Sequence, residues 1–126
     1  MKRIILLVAV GSALMSAPAL VVRAQDPVKV DPKHYKVEFE NDAVRILRIN
    51  YGPGEKSVMH MHPESVAIFL TDQKATFTTP DGKSTEMDAK AGEVKNLPPG
   101  AHLPQNIGDK PMELILVEIK AKPATK

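Results

Sequence analysis

Residues Gly54-Glu55-Lys56-Ser57-Val58-Met59-His60-Met61-His62-Pro63-Glu64 carry two histidines separated by a single residue. Residues Gly92-Glu93-Val94-Lys95-Asn96-Leu97-Pro98-Pro99-Gly100-Ala101-His102-Leu103-Pro104-Gln105-Asn106 carry a third. Strand side chains alternate between faces, so His60 and His62, at i and i+2, point the same way. Neutral imidazole is the commonest protein ligand for zinc, iron, copper and nickel. A third imidazole carried in from a distant strand closes such a site, which makes His60, His62 and His102 the candidate metal ligands.

Outward from these segments, short β-like runs alternate with turn signals. Tyr35–Glu40 alternates polar and apolar residues, and Val44–Tyr51 is rich in branched ones. Pro53-Gly54 suits the centre of a type II turn, with Gly54 at positive φ. Ser57–Met61 is the expected strand of the histidine pair, and Ser65–Thr71 reads as a buried strand. Lys74–Thr79 and Lys83–Met87 flank Pro80-Asp81-Gly82, a hairpin signal. Glu93–Leu97 and Met112–Lys120 follow as strands. No stretch sustains a 3.6-residue period, so the reading is all-β, a sandwich or barrel.

The N-terminus reads as an export signal. Lys2 and Arg3 precede an apolar run from Ile4, and Val22-Arg23-Ala24 offers a cleavage site before Gln25. The expected organisation is a signal peptide over 1–24, a linker over 25–33, a β-barrel domain over 34–122 and a tail over 123–126. The linker is read as non-helical because it holds two prolines. Cleavage would remove three of the 17 basic residues, leaving 14 against 15 acidic ones. The mature chain would be near neutral, periplasmic or secreted, and without the basic face of a nucleic-acid binder. No membrane association is expected once the signal is cut. Cysteine is absent, which excludes disulfides, thiolate metal sites and a cysteine nucleophile.

These two segments resemble the paired motifs of the cupin superfamily, small double-stranded β-helix barrels of the jelly-roll type. Gly54, His60 and His62 match the first motif; Gly92, Pro98, His102 and Asn106 match the second. The resemblance spans about residues 35–120 and implies a divalent transition metal: iron, zinc, manganese, nickel or copper. It also implies a glutamate ligand near Val66 or Ala67, where this chain is apolar. Glu64 is the nearest carboxylate and the candidate fourth ligand, or else a general acid or base. Pro63 interrupts the strand between His62 and Glu64 and leaves its parity open. Three neutral imidazoles leave a divalent ion its full charge, which favours anionic ligands and keeps coordination positions open.

The function expected on this basis is that of an exported metal-binding protein. The first reading is oxygenase-like chemistry on a small oxygen-rich or anionic molecule. A non-catalytic metal or small-ligand module and a vestigial-site scaffold are the alternatives. A homodimer is compatible with each, with Ser65–Thr71 and Leu114–Ile119 as strands that could pair across a two-fold axis. His34 is read as a surface residue, Met59 and Met61 as core, and Asn106 as a turn former. No Gly-x-Ser-x-Gly elbow and no phosphate-binding loop occur.

Overall fold

The computed structural model describes residues 25–122. The expected signal peptide and tail lie outside these residues. One short helix, α1 (Pro27–Val30), precedes nine strands. These are β1 (Tyr35–Glu40), β2 (Val44–Tyr51), β3 (His60–His62), β4 (Ser65–Phe69), β5 (Gln73–Thr78), β6 (Ser84–Ala89), β7 (Val94–Leu97), β8 (Gly100–Asn106) and β9 (Met112–Ile119). They form two antiparallel sheets, ordered β1-β2-β9-β4-β7 and β3-β8-β5-β6. Consecutive strands therefore cross repeatedly between the sheets, which wraps the chain into a jelly roll.

Alternation builds the core. Leu47, Ile49 and Tyr51 of β2 share the inner face with Leu114 and Leu116 of β9 and Phe69 of β4. Burying each such leucine or phenylalanine contributes about 2 kcal/mol. Turn chemistry matches the sequence: Gly54, Gly82 and Gly92 all adopt positive φ, where a side chain would be strained.

Four expectations are corrected. Residues 25–33 are not a plain linker, because Asp26 caps α1 through Val28 N at 3.1 Å and Pro27 occupies the first turn. A proline costs nothing there, since its missing N–H would have no helical partner. The histidine strand is His60–His62, shorter and later than Ser57–Met61. Met61 is 39% exposed rather than core, because β3 is an edge strand and its second face looks outward. β4 and β9 pair with each other inside the sheet and each has neighbours on both sides, so neither offers a free edge for pairing between copies.

Asn106 is a buried fastener as well as a turn former. Its Nδ2 donates to Tyr51 O (3.3 Å), Gly52 O (3.1 Å) and Lys110 O (2.8 Å), and its Oδ1 accepts from Gly108 N at 2.9 Å. It joins the end of β8 to the turn that leads into the histidine pair. Asn106→Ala leaves these backbone groups unpaired and is expected to cost about 3 kcal/mol in urea unfolding. A loss below about 1 kcal/mol would show that water replaces the amide.

Candidate metal centre

β3 lies beside β8 in a register that sets His60 directly opposite His102, with His62 two residues along on the same face. All three rings therefore point into the barrel. His60 Nε2 and His62 Nε2 stand 3.0 Å apart, and one ligand atom from each of the three histidines falls within 4.8 Å of the others. Two nitrogens bound to one ion at about 2.1 Å stand about 3.0–3.4 Å apart in octahedral or tetrahedral geometry. The rings meet edge to face, with centroids 4.8 to 5.1 Å apart.

Hydrogen bonds on the far side of two rings decide which nitrogen is available. His60 Nδ1 donates to Val58 O at 2.7 Å. His62 Nδ1 lies 2.8 Å from Glu118 Oε1. Each far nitrogen thus serves as the donor, and each Nε2 presents its lone pair inward. Two lone pairs at 3.0 Å repel unless a cation lies between them. A proton is a poor choice: burial first, then neighbouring His62, pulls His60 down to about 4. Burial, then His62 and His60, pulls His102 down to about 3. This donor set fits a metal ion.

The structure does not bring Glu64 into this group. Glu64 is exposed in the link between β3 and β4, and its side chain is absent from the cluster. The carboxylate that reaches the histidines is Glu118, which sequence reasoning missed. Glu118 is 2% exposed and sits on β9 in direct register with Arg45 of β2. Arg45 Nε donates to Glu118 Oε2 at 2.6 Å, and its Nη1 and Nη2 donate to the two oxygens of Asp26 at 2.9 and 3.1 Å. Burial raises the Glu118 carboxyl, but His62 and Arg45 outweigh burial and hold it below the usual range. Strand alternation carried the signal. Arg45 is in phase with buried Leu47 and Ile49, and Glu118 with buried Leu114 and Leu116. A charge in phase with a core is a charge that needs a buried partner.

A second polar chain supports His60. His34, expected at the surface, is 6% exposed. Its Nδ1 meets Asp31 at 2.7 Å, its Nε2 meets Glu55 at 2.9 Å, and its ring stacks on Tyr51 with centroids 4.2 Å apart. Both nitrogens are occupied, so His34 is no ligand. Ser57 Oγ donates to Asp31 at 2.5 Å and lies 3.4 Å from His60 Nδ1. Tyr35 packs edge-on against His60 and shares a 2.6 Å hydrogen bond with Tyr51. The N-terminal segment thus braces both members of the pair, and Gln25 O also accepts from Met61 N at 3.0 Å.

A cavity of about 40 Å³ opens beside His62 and His102. Tyr35, Phe69, Phe77, Leu97 and Met112 line it. It has room for about two or three water-sized molecules. A surface hollow of about 620 Å³ lies elsewhere, bordered by mixed lysines and carboxylates and by none of the three histidines. The smaller cavity is the one with chemistry beside it.

Solved structures share this architecture. A cupin domain from Bordetella pertussis Tohama I superposes with a TM-score of 0.64 at 26% identity, covering 69% of this chain and 92% of that one. The domain is a cupin barrel. An RmlC-like cupin with a double-stranded β-helix fold from Methanocaldococcus jannaschii matches this cupin at 25% identity and a TM-score of 0.54, covering 71% and 83% of the two chains. A cupin-2 conserved barrel protein from Salinispora arenicola CNS-205 matches at 22% and 0.53, covering 69% and 75%. No protein-family model and no curated protein matches the sequence.

Two outcomes are expected for this cupin. Glu118→Gln keeps the shape but weakens the hold on the His62 tautomer, so metal affinity falls about 10- to 100-fold in a competition titration; an unchanged affinity would make Glu118 a purely structural ion-pair partner. The second concerns acid. An unfolded histidine titrates near 6.5. Below that pH the unfolded chain takes up protons that folded His60 and His102 resist. The metal-free protein therefore loses about 1 kcal/mol per pH unit per histidine as pH falls from about 6.5. The loss runs down to about 4 for His60 and about 3 for His102. Urea midpoints across that range check it, and a flat profile would contradict it.

Proposed function

We propose that this cupin is an exported metal-binding protein. It holds one divalent transition metal on His60, His62 and His102 and admits a small ligand to it. The observation that carries the proposal is the pair of Nε2 lone pairs at 3.0 Å, each fixed by a hydrogen bond behind its ring. Three neutral donors would leave the ion its full charge and open positions, so the ligand drawn to it is small and anionic or oxygen-bearing. The apolar walls provide no competing counter-charge, and the cavity of about 40 Å³ limits ligand size.

Catalysis is the second reading. An open iron(II) site of this kind supplies the setting for oxygenase chemistry when bound. Exposed Glu64 does not provide an acid or base beside the cluster, which favours the binding module over a reaction needing proton transfer from that residue. Export rests on the leader. Gln25 and Asp26, directly after the expected cut, are built into the histidine strand and the Arg45 pair, so cleavage after Ala24 spares both contacts.

The test is elemental analysis of protein purified without a histidine tag or chelator, beside a His60→Ala/His102→Ala variant. The expected result is near one equivalent of a transition metal in the first and little in the second. No metal in either, after reconstitution with iron(II), zinc, manganese, nickel and copper in turn, would overturn the proposal. Oxygen uptake by the iron(II)-loaded protein with small oxygen-rich acids separates enzyme from binding module.

A further inference from the structure

The cavity beside His62 and His102 is almost wholly apolar. Fourteen residues line it, and five of them carry a polar side-chain atom: Tyr35, Tyr51, His62, His102 and Gln73. The two tyrosine hydroxyls bond each other at 2.6 Å, and the Ser57 hydroxyl bonds to the same pair. The histidine nitrogens belong to the metal centre. Gln73 Nε2 donates to Glu113 O at 2.9 Å. Outside the histidine rings, that leaves Gln73 Oε1 as the polar atom of this wall with no donor among the described residues. No fully buried polar side-chain atom among them lacks a partner, so Oε1 touches open space.

The place of Gln73 explains that space. It is 6% exposed and opens β5 on the face it shares with buried Ala75. Ala75 pairs with Asn106, at the opposite end of β8 from His102. Gln73 therefore closes the end of the barrel away from the histidines, and it also borders the surface hollow of about 620 Å³. From Gln73 to Thr78, which pairs with Leu103 beside His102, β5 runs about 16 Å. Side chains reach in from both levels, and the 40 Å³ between them is a narrow space.

We propose that this space is a dry pocket for an uncharged apolar gas molecule, the class of dioxygen, and that Gln73 is the stopper that keeps water of the hollow out of it. A buried water is held by about three hydrogen bonds. Between Gln73 and the histidines the walls are Ile49, Phe69, Met87, Leu114 and Leu116, which provide none. An anion would give up its hydration there with no partner in return. An apolar diatomic gives up no hydrogen bond and gains dispersion contact with every wall. The pocket thus separates two kinds of ligand: the anionic or oxygen-bearing one is drawn by the ion's charge, and the uncharged one is held by the apolar wall behind the rings. The use of the pocket by a metal centre rests on the function proposed above. Its affinity for an apolar molecule does not.

Xenon is the probe, because it is uncharged, apolar and strongly scattering. Crystals of the protein as purified are pressurised with xenon, and its affinity in solution is read from methyl shifts. The expected result is one xenon site between Leu114 and the histidines. Leu114→Phe fills the pocket and is expected to weaken xenon binding at least about 10-fold. Gln73→Ala joins the pocket to the hollow, so water competes and xenon binding weakens at least about 5-fold. Relaxation of methyl groups under dissolved dioxygen needs no variant and keeps the test decisive if either one misfolds. Dioxygen should broaden Ile49, Leu114 and Leu116 more than Leu47, which is equally buried but lies off the pocket. No xenon site and equal broadening would overturn the proposal, and a folded Gln73→Ala with unchanged xenon affinity would remove Gln73 from it. Metal without xenon would refute the pocket alone. Xenon without metal would refute the metal centre alone.

Discussion

Register between β3 and β8 governs this molecule's chemistry. His60 faces His102 because three-residue β3 pairs with the start of β8 in that register. Strand side chains have a period of two, so a slip of one residue would turn His102 outward while the pair stayed in. β3 has only three residues and cannot enforce this alone. The turn at Gly54, the Lys56–Gln105 bridge, the Ser57 N to Pro104 O bond of 2.9 Å and the Asn106 fastener all act upstream to hold it. Much of the irregular structure around the histidines serves this alignment.

Buried charge then sets how the imidazoles behave. The chain from Asp26 through Arg45 and Glu118 to His62 links the N-terminal segment, two central strands and the site. A buried ion pair contributes little net stability compared with apolar packing, since desolvating the charges costs nearly as much as pairing them returns. What it provides here is orientation. Glu118 faces the far nitrogen of His62 and leaves the near one aimed at the cluster. Burial around His60 and His102 keeps the rings neutral, which is the form that ligates.

Local signals made most of the fold legible. β1 and β2 fall where alternation and branched residues place them, and the Asp81-Gly82 hairpin falls where its turn chemistry does. The histidines were legible because their spacing is itself local and the two half-motifs resemble a family. Glu118 was not, since its partners lie 56 and 73 residues away. Only its phase with Leu114 and Leu116 marked it. His34 looked like surface beside Lys33, and its burial depends on Asp31 of its own segment and on the Tyr51 ring and Glu55, which the end of β2 and the turn after it bring up from far along the chain. The pairing of β4 with β9 is long-range in the same sense. Both strands read as apolar, but which neighbours satisfy them is a property of the closed barrel.

The central claim is that three inward imidazoles form one metal site. Anomalous diffraction from crystals grown with a transition metal tests it most directly. The account predicts a single peak about 2.0–2.2 Å from His60 Nε2, His62 Nε2 and a ring nitrogen of His102, with Glu118 still on His62 Nδ1. Density with no peak between the rings, or a metal bound elsewhere while His60 and His62 share a proton, would contradict it.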